Sequence, residues 1–408
     1  MNDSRSKVTP STVLRRVERL RVELDDTDGI RVESLGMRGP SVPRGLQLLQ
    51  AFSRPTSIQN ALDSLSATGT QEWIEMTEAI LRWVESGVLH EPGSPVRSVR
   101  SGYEGAPVHA VMLNDRARTE GFIRGIEATV RPGNTVVDIG TGSGVLAMAA
   151  ARAGARHVYA IEASSMAEIA AENVRLNGFA DRISILRGQS TDLVLPEKVD
   201  VVVTEMIGHH AFGEGLLEIV NDAVRRFGHS ETRVVPESIE LLGIPLEVPE
   251  VDLAAYAASP RAIENWKGWY GFDLAALAGR MPKSCFFVRS EAVAKWRSLA
   301  SPASLVTVRF PAQTDDGLLE GTARVRIEKP GILNAVAVGM VISTGGGASV
   351  STVPSASHSG SHWLCPVWLP TAPFQVVPGD DAKLDFLYGS GIHGRQGSAD
   401  ASPMVADI

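Results

Sequence analysis

Two glutamates, Glu205 and Glu214, stand on either side of a glycine in "TEMIGHHAFGEG", directly after the strand-like run "VDVVVT". A short bend of this kind sets two carboxylates around one place, where they can act together on a cationic or polar group. A second constellation lies upstream. In "VVDIGTGSGVLAMAAARAGA", Gly140, Gly142 and Gly144 let backbone approach a ligand closely, and the helix that follows offers unpaired N–H groups. Asp138 stands at the end of the strand before the turn. Glu162 closes the next strand in "YAIEAS", where a carboxylate can hold both ribose hydroxyls of a nucleoside. Dinucleotide enzymes use a similar glycine turn, so the turn alone leaves the cofactor open.

The elements that must position these groups follow from pattern. Between about residues 110 and 235, strand-like runs ("NTVVDIG", "HVYAIEAS", "ISILRGQ", "VDVVVTEM") alternate with helical ones ("GVLAMAAARAGA", "SMAEIAAENVRLNGF"), which predicts a parallel, doubly wound sheet within 98–235. After Val234 and Pro236, short alternating strands such as "SIELLGIPLEV" and "AVAVGMVIS" predict a β-rich domain over 236–390. An insertion at 252–290 interrupts it and contains "ENWKGWYGFDLAALAGRM". Residues 1–97 read as a separate module and linker. "TVLRRVERLRVELDD" has a helical pattern, three short helices follow, and Trp73, Met76, Ile80, Trp83 and Val84 recur at helical spacing before a turn and strand start. The order suggests a small winged-helix-like module. "EPGSPVRSVRSGYEGAP" reads as a linker, and the tail 391–408 has little to pack and is expected to be mobile.

Bulk composition narrows the classes. The 408 residues are 44% apolar, enough for a large core, and carry a formal net charge of −8. Residues 46–90 set only Arg54 and Arg82 against Asp63, Glu72, Glu75, Glu78 and Glu85, which argues against nucleic acid and leaves peptide recognition or packing. The chain has no apolar run of membrane-span length, and "MNDSRSKVTPS" has no secretory apolar segment, so a cytoplasmic, non-membrane protein is expected. Cys285 and Cys365 share no ligand spacing, which predicts neither a disulfide framework nor a bound metal.

With Asp before the first glycine, "VDIGTGSG" is the form typical of S-adenosylmethionine enzymes. From Tyr103 to about residue 387 the chain resembles the protein arginine methyltransferases at several separated places. "YEGAPVHAVMLNDRART" keeps Tyr103, His109, Met112, Asp115 and Arg118 in the register of the family's first active-site segment. "TEMIGHHAFGEG" matches its double-glutamate loop, "SGSHWLCPVWLP" carries His362 and Trp363 of its Thr-His-Trp loop, and "WKGWYGFDLAAL" resembles its dimerisation arm.

The resemblance implies an α/β fold: a Rossmann-like methyltransferase domain, a β-barrel domain with a helical arm, S-adenosyl-L-methionine as cofactor, and a homodimer. It assigns Asp138, Gly140, Gly142, Gly144 and Glu162 to the cofactor, with Thr191 and Asp192 where the family's adenine-contacting glutamate falls. Arg118 is expected to bind the methionyl carboxylate and to help orient Glu205. His362 is expected to pair with Asp115 and hold the first segment over the pocket, completing a catalytic set with Glu205 and Glu214. Tyr103, His109, Met112, Met206, His209 and Trp363 fall at the substrate pocket. Three departures concern the acceptor side: Met206 replaces the family's Trp, His209 its Tyr, and Val99 sits where its opening tyrosine would be. His209 is thereby a candidate general base for an amine.

Methyl transfer from a sulfonium is an in-line displacement, so the accepting nitrogen must be held close with a lone pair aimed at the methyl carbon. A guanidinium delocalises its lone pairs; two carboxylates gripping its N–H groups fix the plane and draw positive charge toward the other nitrogens. At about 4 Å and an effective dielectric near 20, each such charge pair contributes roughly 4 kcal/mol. The expected activity is N-methyl transfer to a guanidine or amine of an arginine-containing or ribosomally made peptide. Free arginine or another small amine precursor is an alternative acceptor, and a non-catalytic cofactor-binding scaffold is the alternative from a different class. The N-terminal module favours a peptide, because enzymes that tailor ribosomally made peptides often use such a module to hold a leader segment.

Overall fold

The computed structural model describes residues 9–16, 21–24, 29–34, 37–38, 42–65, 70–85, 88–92, 105–281, 284–312, 318–358, 360–389 and 402–407. Tyr103 and Val99 lie outside them. The chain divides into two compact units, Met1–Glu104 and Gly105–Ile408.

In the first unit, helices Gly45–Ala51, Ile58–Ser64 and Thr70–Glu85 accompany a three-stranded antiparallel sheet whose central strand, Val13–Arg16, pairs with Thr56–Ser57 and Leu89–His90. Ser57 caps the second helix by accepting from Asn60 N at 3.1 Å. Met76, Ile80 and Trp83 enter the core as their spacing predicts, whereas Trp73 is 41% exposed. The helical reading of "TVLRRVERLRVELDD" is corrected: its described parts are the strands Val13–Arg16 and Arg21–Leu24. Leu14 is buried and Val13 exposed, the alternation of a strand, and partners on both sides satisfy a backbone that a lone helical pattern would not anchor.

The second unit opens with α1 (Ala106–Asn114) and α2 (Arg116–Thr129). There follow β1 (Thr135–Ile139), α3 (Val145–Arg152), β2 (His157–Glu162), α4 (Met166–Leu176), β3 (Ile183–Arg187), β4 (Val201–Thr204), α5 (Leu216–Phe227) and β5 (Arg233–Val235). The sheet order is β3-β2-β1-β4-β5, and every pair is parallel. Burial on both faces explains why "VVDI" and "VVVT" are apolar without alternation. The winding reverses beside β1, so a crevice opens at the C-terminal ends of β1 and β4.

β6 (Ser238–Glu247) then starts the antiparallel half. It pairs with Ala335–Gly345 from Ser238↔Ser343 to Leu246↔Ala335, within a seven-stranded sheet. Leu241, Leu305, Val338 and Leu384 share one core with Val136 and Val203, so the two halves of this unit are packed together. The insertion after β6 carries the helix Pro260–Tyr270 and a short 3-10 helix, Ala275–Arg280. The expectation of a mobile tail is corrected in part: Ser402–Asp407 forms a strand against Asp381–Gly389, whose free edge offers it hydrogen bonds, and the rest of the tail lies outside the described residues.

Two glycines decide how α2 sits. A Cβ on Gly125 would lie 2.3 Å from Thr344 O, and one on Gly121 would lie 2.4 Å from Val350 Cγ2. The strand hairpin therefore comes against bare helix backbone, and Thr344 Oγ1 donates to Gly121 O at 2.9 Å. This contact fixes the helix whose first turn carries Arg118.

Candidate active site

The glycine turn joins β1 to α3, with Gly140, Gly142 and Gly144 all at positive φ, the region that favours glycine. Glu162, at the end of β2, folds back on it: Gly142 N donates to Glu162 Oε2 at 2.9 Å and Ser164 N to Oε1 at 2.8 Å. Asp138 is 1% exposed and accepts from Thr141 Oγ1 at 2.5 Å, so it holds the turn from beneath. Burial pushes its carboxyl up to about 7, with the nearby Glu162 adding to the effect against the Thr141 and Ala147 hydrogen bonds. The His109 ring covers the turn from α1, its Cε1 only 2.6 Å from where a Cβ of Gly142 would stand. Thr191 and Asp192 sit exposed on a single turn after β3, braced by Arg226, which donates to Ser190 O and to Leu193 O.

Glu205 follows β4 directly, on the strand adjacent to the glycine turn, and the Met206 side chain lies over the turn, 3.1 Å from a Cβ position on Gly140. Glu205 Oε2 pairs with Arg118 Nη2; the two side chains are only 7% and 11% exposed. Glu205 Oε1 is buried with no hydrogen-bond partner among the described residues. Glu214 returns to the start of the loop, its Oε1 3.1 Å from a Cβ position on Gly208. The loop between them is tied down from the antiparallel half. Trp363 Nε1 donates to Ile207 O at 2.8 Å, Leu364 N to His209 Nδ1 at 3.2 Å, and Tyr388 Oη to Phe212 O at 2.5 Å.

Asp115 ends α1 and caps α2, accepting from Arg118 N at 3.1 Å. Its other oxygen receives His362 Nδ1 at 2.9 Å and His362 N at 3.0 Å. Burial opposes its ionisation, but the hydrogen bonds from His362, Arg118 N and His358 outweigh it and hold Asp115 well below the usual carboxylate range. Arg118 also donates to Met112 O at 3.2 Å, approaches Met112 Sδ at 3.8 Å, and lies 5.8 Å from the centre of the Trp363 ring.

The structure thus brings Arg118, Glu205, Met206, His109, Met112 and the glycine turn to one crevice, with Asp115, His362 and Trp363 holding them. His209 changes role. Its Nδ1 accepts from Leu364 N, so the neutral ring carries its proton on Nε2 and has no free lone pair for a base; burial, with His362 and His210 adding, lowers its pKa. Sequence reasoning missed three groups. His358 donates to Asp115 at 2.6 Å and was visible only as a second histidine in "SHSGSHW"; Tyr388 and Arg226 gave no local signal.

A reversing parallel sheet, a glycine turn closed by a ribose-type carboxylate, and an arginine beside a strand-end glutamate define the class: a Rossmann-like methyltransferase that uses S-adenosyl-L-methionine. The family model described as ribosomal protein L11 methyltransferase (PrmA) matches residues 115–228. Protein arginine N-methyltransferase PRMT10 of rice (Oryza sativa subsp. japonica) is 30% identical over 305 residues, covering 67% of this chain and 78% of the relative. The ribosomal protein arginine N-methyltransferase rmt3 of Schizosaccharomyces pombe is 37% identical over 158 residues, 36% of this chain and 29% of the relative. In fold, the chain is similar to the PRMT1 enzyme-prozyme heterotetrameric complex of Trypanosoma brucei solved with AdoHcy: TM-score 0.64, 21% identity, 75% of this chain and 99% of that one. The chain belongs to the protein arginine N-methyltransferase family. Among the described residues no helix is long and apolar enough to cross a membrane, and no cluster of His, Cys, Asp or Glu could hold a metal ion.

Proposed function

We propose that the enzyme methylates a guanidine nitrogen of an arginine side chain in a peptide or protein. The observation that carries the reading is Glu205: one oxygen is committed to Arg118, and the other is buried, without a hydrogen-bond partner among the described residues and one strand away from the cofactor turn. A dry carboxylate oxygen is costly unless a donor arrives, and a guanidinium N–H is such a donor. S-adenosyl-L-methionine, when bound, supplies the methyl group as an electrophilic sulfonium carbon. The residues present fit it. Glu162 stands where ribose hydroxyls would displace its backbone partners, and Arg118 is a buried cation beside the turn for the methionyl carboxylate. Glu205 and Glu214 hold the acceptor plane and concentrate its charge away from the reacting nitrogen, while Asp115 and His362 position the α1–α2 corner. Mass spectrometry after incubation with methyl-deuterated cofactor tests the acceptor: label on a guanidine nitrogen of a peptide supports the reading, and label only on free arginine or on an amine refutes it.

Two finer readings belong with it. Residues 1–97 act as a peptide-holding module, since from Gly45 onward their helix-strand-helix-helix-strand order is winged-helix-like and "QEWIEMTEAILRWVE" is acidic. Deleting them should weaken peptide affinity and spare small acceptors; equal peptide affinity would sink this. The insertion acts as a homodimer arm, because Trp269, Tyr270, Phe272 and Leu277 are 65%, 60%, 68% and 50% exposed side by side. Trp269→Asp should shift sedimentation toward the monomer, and an unchanged dimer would reject the arm as the contact.

A further inference from the structure

Asp115 has more partners than one orienting histidine requires. His358 Nε2 lies 2.6 Å from its Oδ1, while His362 takes Oδ2 through both Nδ1 and the backbone. An ionised carboxylate only accepts, so His358 donates from Nε2 and His362 from Nδ1. The Asp115 side chain is 0% exposed, against 25% for His358 and 12% for His362. This carboxylate both ends α1 and caps α2. Whatever fixes it fixes the corner between Met112 and Arg118, and Arg118 leads on to Glu205. His358 is thus the outer end of a hydrogen-bonded chain that runs His358, Asp115, Arg118, Glu205.

We propose that His358 is a second positioning residue of this site: by holding Oδ1 of Asp115 it sets the α1–α2 corner that carries Met112 and Arg118. The inference rests on reading the crevice as the methyl-transfer site. Around the histidine pair stand Asp115 at the corner, Arg118 on α2, His209 of the double-glutamate loop and Glu291 on the helix Ser290–Val293, whose Oε1 accepts from Gly360 N at 3.1 Å. Burial is the main cause that lowers the His362 pKa; its bond and charge contact with Asp115 oppose the shift, and the charges of Arg118 and His358 add to it.

The test uses the full chain and two variants. His358→Ala removes the donor to Asp115; His358→Gln replaces the ring but keeps an amide N–H donor near the position of Nε2. Calorimetry with S-adenosyl-L-methionine should show affinity weakened about 5- to 10-fold in the alanine variant, the size of one charge-assisted hydrogen bond felt through a neighbour, and restored to within about 2-fold by glutamine. Equal cofactor affinity in the alanine variant would overturn the positioning role, as would failure of glutamine to restore it. The readout requires no turnover, so a wild-type enzyme that methylates no guanidine would refute the proposed acceptor while leaving the His358 result to be judged by itself.

Discussion

Glu205→Gln isolates the charge of the double-glutamate loop with almost no change in shape. The wild-type carboxylate is nearly enclosed, pairs with Arg118 through Oε2 and has no partner for Oε1 among the described residues. A glutamine still accepts from Arg118 through its amide oxygen, so the arginine keeps its direction. What disappears is one charge-assisted bond to the acceptor and the field that gathers its positive charge. That pair is worth roughly 4 kcal/mol at an effective dielectric near 20, and removing one preorganised stabilising group from an active site costs about 2.7–4 kcal/mol. We expect kcat with an arginine peptide to fall about 100- to 1000-fold. The dissociation constant for S-adenosyl-L-methionine should stay within about 5-fold, because Arg118 and Glu162 remain in place. Breaking a buried pair also leaves Arg118 uncompensated, so the melting temperature of the cofactor-free variant should drop. Initial rates and calorimetric titration, measured on the same preparation, separate the two effects. Cofactor affinity weakened more than 10-fold, with kcat within 10-fold of wild type, would refute the reasoning and make Glu205 a cofactor residue.

Gly125→Ala improves helix propensity but sets a methyl group 2.3 Å from Thr344 O, so it should destabilise by about 1–3 kcal/mol; an unchanged or higher melting temperature would show that the hairpin can move away. For Asp138, a carboxyl pushed up to about 7 from 3.8 binds a proton in the folded protein that the unfolded chain has already lost above pH 4. Its contribution is therefore full below pH 4 and lost as pH rises through 7. Asp138→Asn, which does not titrate, should gain stability relative to wild type between pH 4 and 7, by a few kcal/mol at most; a difference that stays flat across that range would overturn the buried-acid account.

The glycine turn, the strand-end carboxylates and the double-glutamate loop were legible because each is local. Positive φ at Gly140, Gly142 and Gly144 and the unbroken apolar runs "VVDI" and "VVVT" are demands of one turn and two buried strands. The pairing of His362 with Asp115 was legible only through resemblance, since 247 residues separate them. Val13–Arg16 misled because a short stretch with mixed charge fits helical and strand periods equally well, and only its two strand partners decide between them.

By itself the sequence determined the parallel sheet, the cofactor turn and the identity of the two acidic residues, since burial on both faces and backbone sterics act over a few neighbouring residues. Tertiary structure alone decided which oxygen of Glu205 stays open, which nitrogen of His209 is engaged, and that His358, Tyr388 and Trp363 brace the site. Those assignments depend on which hydrogen-bond partner reaches each polar atom once water is excluded. That is a property of packing between distant segments, and no local pattern encodes it.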